Sequence, residues 1–166
     1  MIFSQMKPQK NVSEEWKKKG VFKMKPIKQF QIGSSYFFSS YPDYKSKDYD
    51  ELCIMDEFPF NEDVMNVKLN DKDIFLFRDM PKSGYINDLV KSNTPMKIGK
   101  FLIPEFCSYI SFTIEDLKSI FHIFDNIDSK HTYEKIIAQS YIENNDFFLT
   151  TQQRDLAYDE YKSTRL

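Results

Sequence analysis

Two pairs of residues in this chain have the types and spacing that handling a polyphosphate with its metal would require. Asp48 and Asp50 stand two apart in Ser46-Lys47-Asp48-Tyr49-Asp50, just ahead of the apolar run Leu52-Cys53-Ile54-Met55. On an extended strand that spacing puts both carboxylates on one face, about 7 Å apart along the chain. Two like charges so close strain each other unless a cation lies between them. Magnesium is the natural occupant, because it prefers one or two carboxylates together with substrate phosphates. Upstream, Gly33-Ser34 follows a short apolar segment. Glycine lets a phosphate approach the backbone, and the serine hydroxyl and the N–H groups of a helix opening there would donate to it.

These four residues need elements to position them. Residues 27–32 read as a strand ending at Gly33, followed by a brief helix from about Ser35 and a loop around Pro42. Residues 48–55 read as a second strand, apolar enough to be covered on both faces. A turn is expected at residues 58–61. MNVKLNDKDIFLFRDM then reads as two strands joined by a turn at residues 70–72, an antiparallel hairpin. Earlier in the chain, Ser13 would cap a helix over residues 13–19 that Gly20 stops.

From Pro81 onward the pattern becomes helical. Ile86, Leu89 and Val90 have helical spacing, and so do Ile98, Phe101 and Leu102, a run expected to break at Pro104. Thr113 caps a helix striped by Ile114, Leu117, Ile120, Phe121 and Phe124. Tyr133, Ile136, Ile137 and Tyr141 mark another, and a last one starts near Thr150 or Thr151. The expected class is α+β: a small mixed sheet over about 27–80, followed by a helical carboxy-terminal extension. Residues 1–80 would form the sheet part with an amino-terminal helix, and 81–166 would pack on it in one compact unit.

Gly-Ser, a gap, then Ser-x-Asp-x-Asp at the head of an apolar strand resembles the signature of the polymerase-beta-type nucleotidyltransferase superfamily. The resemblance covers roughly residues 27–80 and implies a sheet of the nucleotidyltransferase type. It implies that Gly33 and Ser34 hold nucleotide phosphates and that Asp48 and Asp50 bind two Mg2+ ions. A third carboxylate on a neighbouring strand would complete the metal site and activate the acceptor hydroxyl. The middle of the strand Asp73–Asp79 holds Phe75, so Asp73 or Asp79, at its ends, would supply that acid. The implied reaction moves a nucleoside monophosphate from an NTP to an acceptor, either a protein, a small molecule or an RNA end, and releases pyrophosphate. A further departure is the bulky SSYFFSSY that follows the glycine. A chain keeping this scaffold without the third acid would instead be a catalytically inactive, phage-associated or partner-binding module.

Composition narrows the field. The 166 residues are 41% hydrophobic and 16% aromatic, enough for one real core. The net charge is only −2, from 23 basic and 25 acidic side chains, which argues against a disordered polyelectrolyte. Charge is unevenly spread, however: residues 1–32 carry a net +6 and residues 43–80 a net −6. The lysines at 17, 18, 19, 23, 25 and 28 make nucleic acid a second partner class, although a solvated basic face is the simpler reading. No apolar run reaches the roughly 20 residues of a membrane span, and the amino terminus lacks a secretory apolar stretch, so a cytoplasmic protein is expected. Cys53 and Cys107 read as buried free thiols, and neither they nor His122 and His131 have ligand spacing for zinc. No G-x-x-x-x-G-K-[ST] motif is present.

Overall fold

A computed structural model describes residues 10–11, 25–45, 49–57, 64–79, 84, 86, 99–124 and 132–164. Its strands are β1 (Lys10–Asn11), β2 (Lys28–Ile32), β3 (Tyr49–Met55), β4 (Val64–Leu69) and β5 (Lys72–Arg78). Its helices are α1 (Ser34–Phe37), α2 (Pro104–Tyr109), α3 (Ile114–Phe124), α4 (Thr132–Asn144) and α5 (Thr151–Ser163). The strands form one mixed sheet in the order β1-β4-β5-β3-β2. β2 runs antiparallel to β3, β3 parallel to β5, and β4 antiparallel to β5. The protein is therefore α+β, with strands first and helices after. None of the described helices is long and apolar enough to cross a membrane.

Alternation sorts the strand residues onto two faces. Ile32, Leu52, Ile54, Val64, Phe75 and Phe77 face the helices and join Phe101, Phe106, Leu117, Ile137, Tyr141 and Tyr158 in one core. Cys53, Met55, Met65, Val67, Ile74 and Leu76 form a second buried cluster on the other face. That two-sided burial is why β3 and β5 read as continuous apolar runs rather than alternating ones. The β4–β5 hairpin turns at Asn70, whose φ of 58° is a conformation asparagine tolerates better than most residues.

Helix starts follow capping chemistry. The Thr113 hydroxyl accepts from Asp116 N while the Asp116 carboxylate accepts from Thr113 N. Thr150 and Gln153 make the same reciprocal pair at α5. One expectation fails at Pro104. The spacing of Ile98, Phe101 and Leu102 predicts a helix that this proline ends; Gly99 and Lys100 are helical, but that helix stops before Phe101, and Pro104 sits at the first turn of α2 and opens it. A proline there forfeits no hydrogen bond, because first-turn N–H groups have no intrahelical partner. Phe101, Leu102 and Ile103 instead form a buried connector, with the Leu102 carbonyl accepting from the Tyr141 hydroxyl at 3.0 Å. The helix expected at 13–19 and the turn at 58–61 lie outside the described residues, as do Leu89 and Val90.

α5 clamps α1 and the turn after it. Arg154 Nη1 donates to the Phe37 carbonyl at 2.6 Å, Tyr158 donates to Asp43 at 2.7 Å, and Tyr41 donates to Asp155. Burial and the neighbouring carboxylates push the Tyr41 and Tyr158 hydroxyls up to about 12, so both remain donors through neutral pH. A group whose folded pKa is raised contributes stability below its unfolded value and loses it as pH climbs through the folded one. For these tyrosines the window is pH 10 to about 12. An alkaline titration followed by circular dichroism should therefore show falling thermal stability across that window. Constant stability to pH 12 would mean the clamp contributes nothing.

Candidate functional site

Register brings three of the expected site residues, Gly33, Asp50 and Asp73, to one end of the helix-facing side of the sheet. Ile32, the last residue of β2, pairs with Asp50, so Gly33 leaves the sheet directly beside that carboxylate. On the other side, Asp50 is in register with Asp73 across the parallel β3–β5 pair. In-register residues on neighbouring strands project to the same face, with backbones about 4.8 Å apart. Asp50 is buried and Asp73 half-buried. Asn66, on β4, donates from Nδ2 to Asp73 Oδ1 at 2.7 Å and to the Ile74 carbonyl at 3.2 Å, fixing the Asp73 side chain.

Two features of Gly33 require glycine. Its φ is +72°, a conformation that a side chain makes costly. A Cβ built there would lie 2.6 Å from Asp50 Oδ2, too close for any real contact. The carboxylate thus packs directly on the glycine backbone. Gly33→Ala should cost about 1–3 kcal/mol from backbone strain alone and push the Asp50 side chain out of place. Urea unfolding measures the loss, and a change below about 0.5 kcal/mol would show that the turn relaxes freely.

Ser34 begins α1, and its Oγ lies 3.0 Å from the Tyr44 hydroxyl. Ser35 Oγ donates to the Ile32 carbonyl at 3.0 Å, closing the turn. α1 has only four residues, so its dipole is weak and its first-turn N–H groups could act only as individual donors. Gly33 itself is buried against the Asp50 carboxylate, and the half-buried Ser34 hydroxyl is the side-chain donor at this position.

Of the two tentative third acids, only Asp73 is in register with Asp50. Asp79 lies six residues further along, about 20 Å away at strand rise. Its amide bonds to the Met55 carbonyl, and its Oδ1 accepts from Tyr109 at 2.8 Å. Asp79 is therefore a cap at the far end of the sheet, not a partner of Asp50. Phe75 is fully buried against Phe101, with ring centroids 5.1 Å apart. The strand's middle is core, and the residue beside Asp50 comes two positions earlier. Asp48 lies outside the described residues.

Lys100 belongs to this site and was missed in the sequence. Its Nζ lies 3.7 Å from Asp50 Oδ2 and 5.9 Å from the centre of the Phe75 ring. No spacing rule could connect positions 50 and 100, since the pairing depends on where the helical residues Gly99 and Lys100 lie over the sheet. Asn66 was equally silent, being one polar residue in an apolar strand. The chain matches no family model, no curated protein and no solved structure.

The two cysteines are core residues. Cys53 and Cys107 are buried free thiols. Burial pushes Cys53 up to about 11 and Cys107 higher still, so neither is a nucleophile near neutral pH. Lys25 and Lys28 are exposed, whereas Lys17, Lys18, Lys19, Lys23 and His131 lie outside the described residues, as does the His122 side chain. An open groove of about 360 Å³ lies over β2 and β3, lined by Phe30 and by the side chains of Gln29, Gln31, Tyr49, Glu51 and Lys72. Phe30 points to the helix-facing side, and the other five do not. Those five side chains alternate with Ile32 and Asp50, so the groove is on the opposite side of the sheet from the carboxylate pair.

Among the described residues, no group of three His, Cys, Asp or Glu side chains converges as a metal cage. Asp50 and Asp73 make a pair. A pair suits magnesium, which keeps several waters and completes its shell with substrate phosphates. The cation already drawn to Asp50 is the Lys100 ammonium, a chemical stand-in for such an ion.

Proposed function

We propose that this chain is a magnesium-dependent nucleotidyltransferase that moves a nucleoside monophosphate from an NTP to an acceptor. The observation that carries this reading is the in-register pairing of Asp50 and Asp73 beside a glycine whose backbone touches Asp50. It accords with the resemblance of Gly33-Ser34 and Asp48-x-Asp50 to polymerase-beta-type nucleotidyltransferases, and the mixed α+β sheet is compatible with that fold type. When bound, magnesium supplies charge neutralisation of the phosphates and of the departing pyrophosphate.

The chain's own residues have separate tasks. At the Gly33 turn beside Asp50, the Ser34 hydroxyl, held by Tyr44, donates to a phosphate oxygen. Asp50, on the interior strand β3, holds the metal-facing position with Asp48 as its companion. Asp73, fixed by Asn66, accepts the acceptor's proton. The acceptor oxygen then bonds to the α-phosphorus, the bond from that phosphorus to the bridging oxygen breaks, and pyrophosphate leaves with the electron pair.

One observation favours the other reading, an inactive scaffold that binds a partner: Asp50 already has an ammonium counter-ion. Labelling separates the two. The chain is incubated with each of the four α-labelled NTPs and Mg2+, with bulk RNA or bulk protein as acceptor. The transferase reading expects chelator-sensitive label transfer with matching pyrophosphate release, both lost in Asp50→Asn. No pyrophosphate with any nucleotide, or release that survives Asp50→Asn, would sink it.

A further inference from the structure

We propose that the Lys100 ammonium occupies the cation position beside Asp50 and must be displaced when a divalent metal binds there. This inference rests on the carboxylate pair being a metal site, and it assigns that site an internal competitor. Lys100 Nζ stands 3.7 Å from Asp50 Oδ2, and the two side chains are only 22% and 13% exposed. An ammonium and a divalent ion cannot both sit against the same buried carboxylate oxygen, because their repulsion is poorly screened there.

The ammonium is also delivered by a rigid support rather than by a loose surface side chain. On one side of it, Gly99 packs so tightly on α4 that a Cβ would lie 2.6 Å from Glu134 Cβ. On the other, Phe101 is fully buried edge-on against Phe75 and Phe77, at 5.1 and 5.5 Å between ring centroids. The Leu102 carbonyl is held by Tyr141. The backbone on both sides of Lys100 is thus fixed by the core, and its ammonium stands 5.9 Å from the centre of the Phe75 ring. The free protein therefore pairs its own charge at Asp50, and metal entry must first break that pair. A displaced ammonium beside Gly33 and Ser34 would meet the phosphates of an incoming nucleotide, so metal and nucleotide would enter more readily together than metal alone.

The test is Mn2+ binding to the full chain, with free Mn2+ measured by its paramagnetic resonance signal and no nucleotide present. Lys100→Met should bind Mn2+ roughly tenfold more tightly than the wild type, the change expected from losing one partly buried like charge a few ångströms away. Lys100→Arg, which keeps the charge, should stay near the wild-type value. Lys72→Met is the control for net charge. Lys72 pairs with Glu51 at 3.1 Å on the opposite face and should change the affinity less than twofold. An unchanged or weakened affinity in Lys100→Met, with its circular dichroism spectrum and melting intact, would overturn the role of Lys100 alone. A tightening in Lys72→Met equal to that in Lys100→Met would overturn it too. Binding by none of the variants would overturn the metal reading itself, and this inference with it.

Discussion

Replacing Phe38 by alanine should destabilise the protein by about 3–5 kcal/mol, the usual cost of deleting a fully buried phenyl ring. Phe38 has no exposed surface. Its ring meets Phe37, Tyr41, Tyr44, Tyr133, Tyr158 and Tyr161, with centroids between 5.1 and 6.4 Å away. These partners come from the α1 turn, α4 and α5, so one ring ties the Gly33–Ser34 segment to the carboxy-terminal helices. Ring pairs in such tilted and edge-on arrangements add to the burial energy. Removal leaves a cavity whose walls belong to three separate elements and cannot close together. Urea unfolding gives the value directly. Phe148→Ala, at 47% exposure, should change stability by less than about 0.5 kcal/mol. A loss at Phe38 below about 1 kcal/mol would mean that the helices and the site segment are not mechanically joined.

A second large effect is expected at Asp50, in contrast with Asp79. Asp50→Asn keeps the shape of the side chain but removes the charge that a magnesium ion and the Lys100 ammonium both need. Nucleotide transfer should fall by about 100-fold or more, a size typical for losing a preorganised electrostatic contact at a reacting centre. Asp79→Asn should leave transfer within about twofold. That residue only accepts from the Tyr109 hydroxyl at the far end of β5. Steady-state rates of pyrophosphate release measure both. Equal losses at the two positions would contradict the placement of the site at the Gly33 end of the sheet.

Much of the sheet was legible because its signals are local. The apolar run at 52–55, the hairpin turn at 70–72 and the strand at 27–32 each follow from a few adjacent residues, and the structure has them as β3, the β4–β5 turn and β2. The caps at Thr113 and Thr150 were equally local. Gly33 and Asp50 were legible separately, as the end of one strand and the head of the next, and the antiparallel pairing of β2 with β3 makes them meet. The choice between Asp73 and Asp79 was not legible, because it depends on which residue of β5 lies beside Asp50. Parallel register is set by packing across the sheet, and a shift of two positions leaves the pattern of faces unchanged. Lys100 and Asn66 were hidden for a related reason. Their partners at 50 and 73 are far away in sequence or across a hairpin, and neither has a motif of its own. Pro104 misled because a proline reads alike at the end of one helix and the start of the next.

The central claim is that Asp50 and Asp73 act as one unit. A double-mutant cycle on nucleotide transfer, with Asp50→Asn, Asp73→Asn and the pair combined, tests it most directly. The account predicts a loss of about 100-fold or more for each single variant, and little further loss when both are changed. Losses that multiply in the double variant, or an Asp73→Asn protein as active as the wild type, would contradict it.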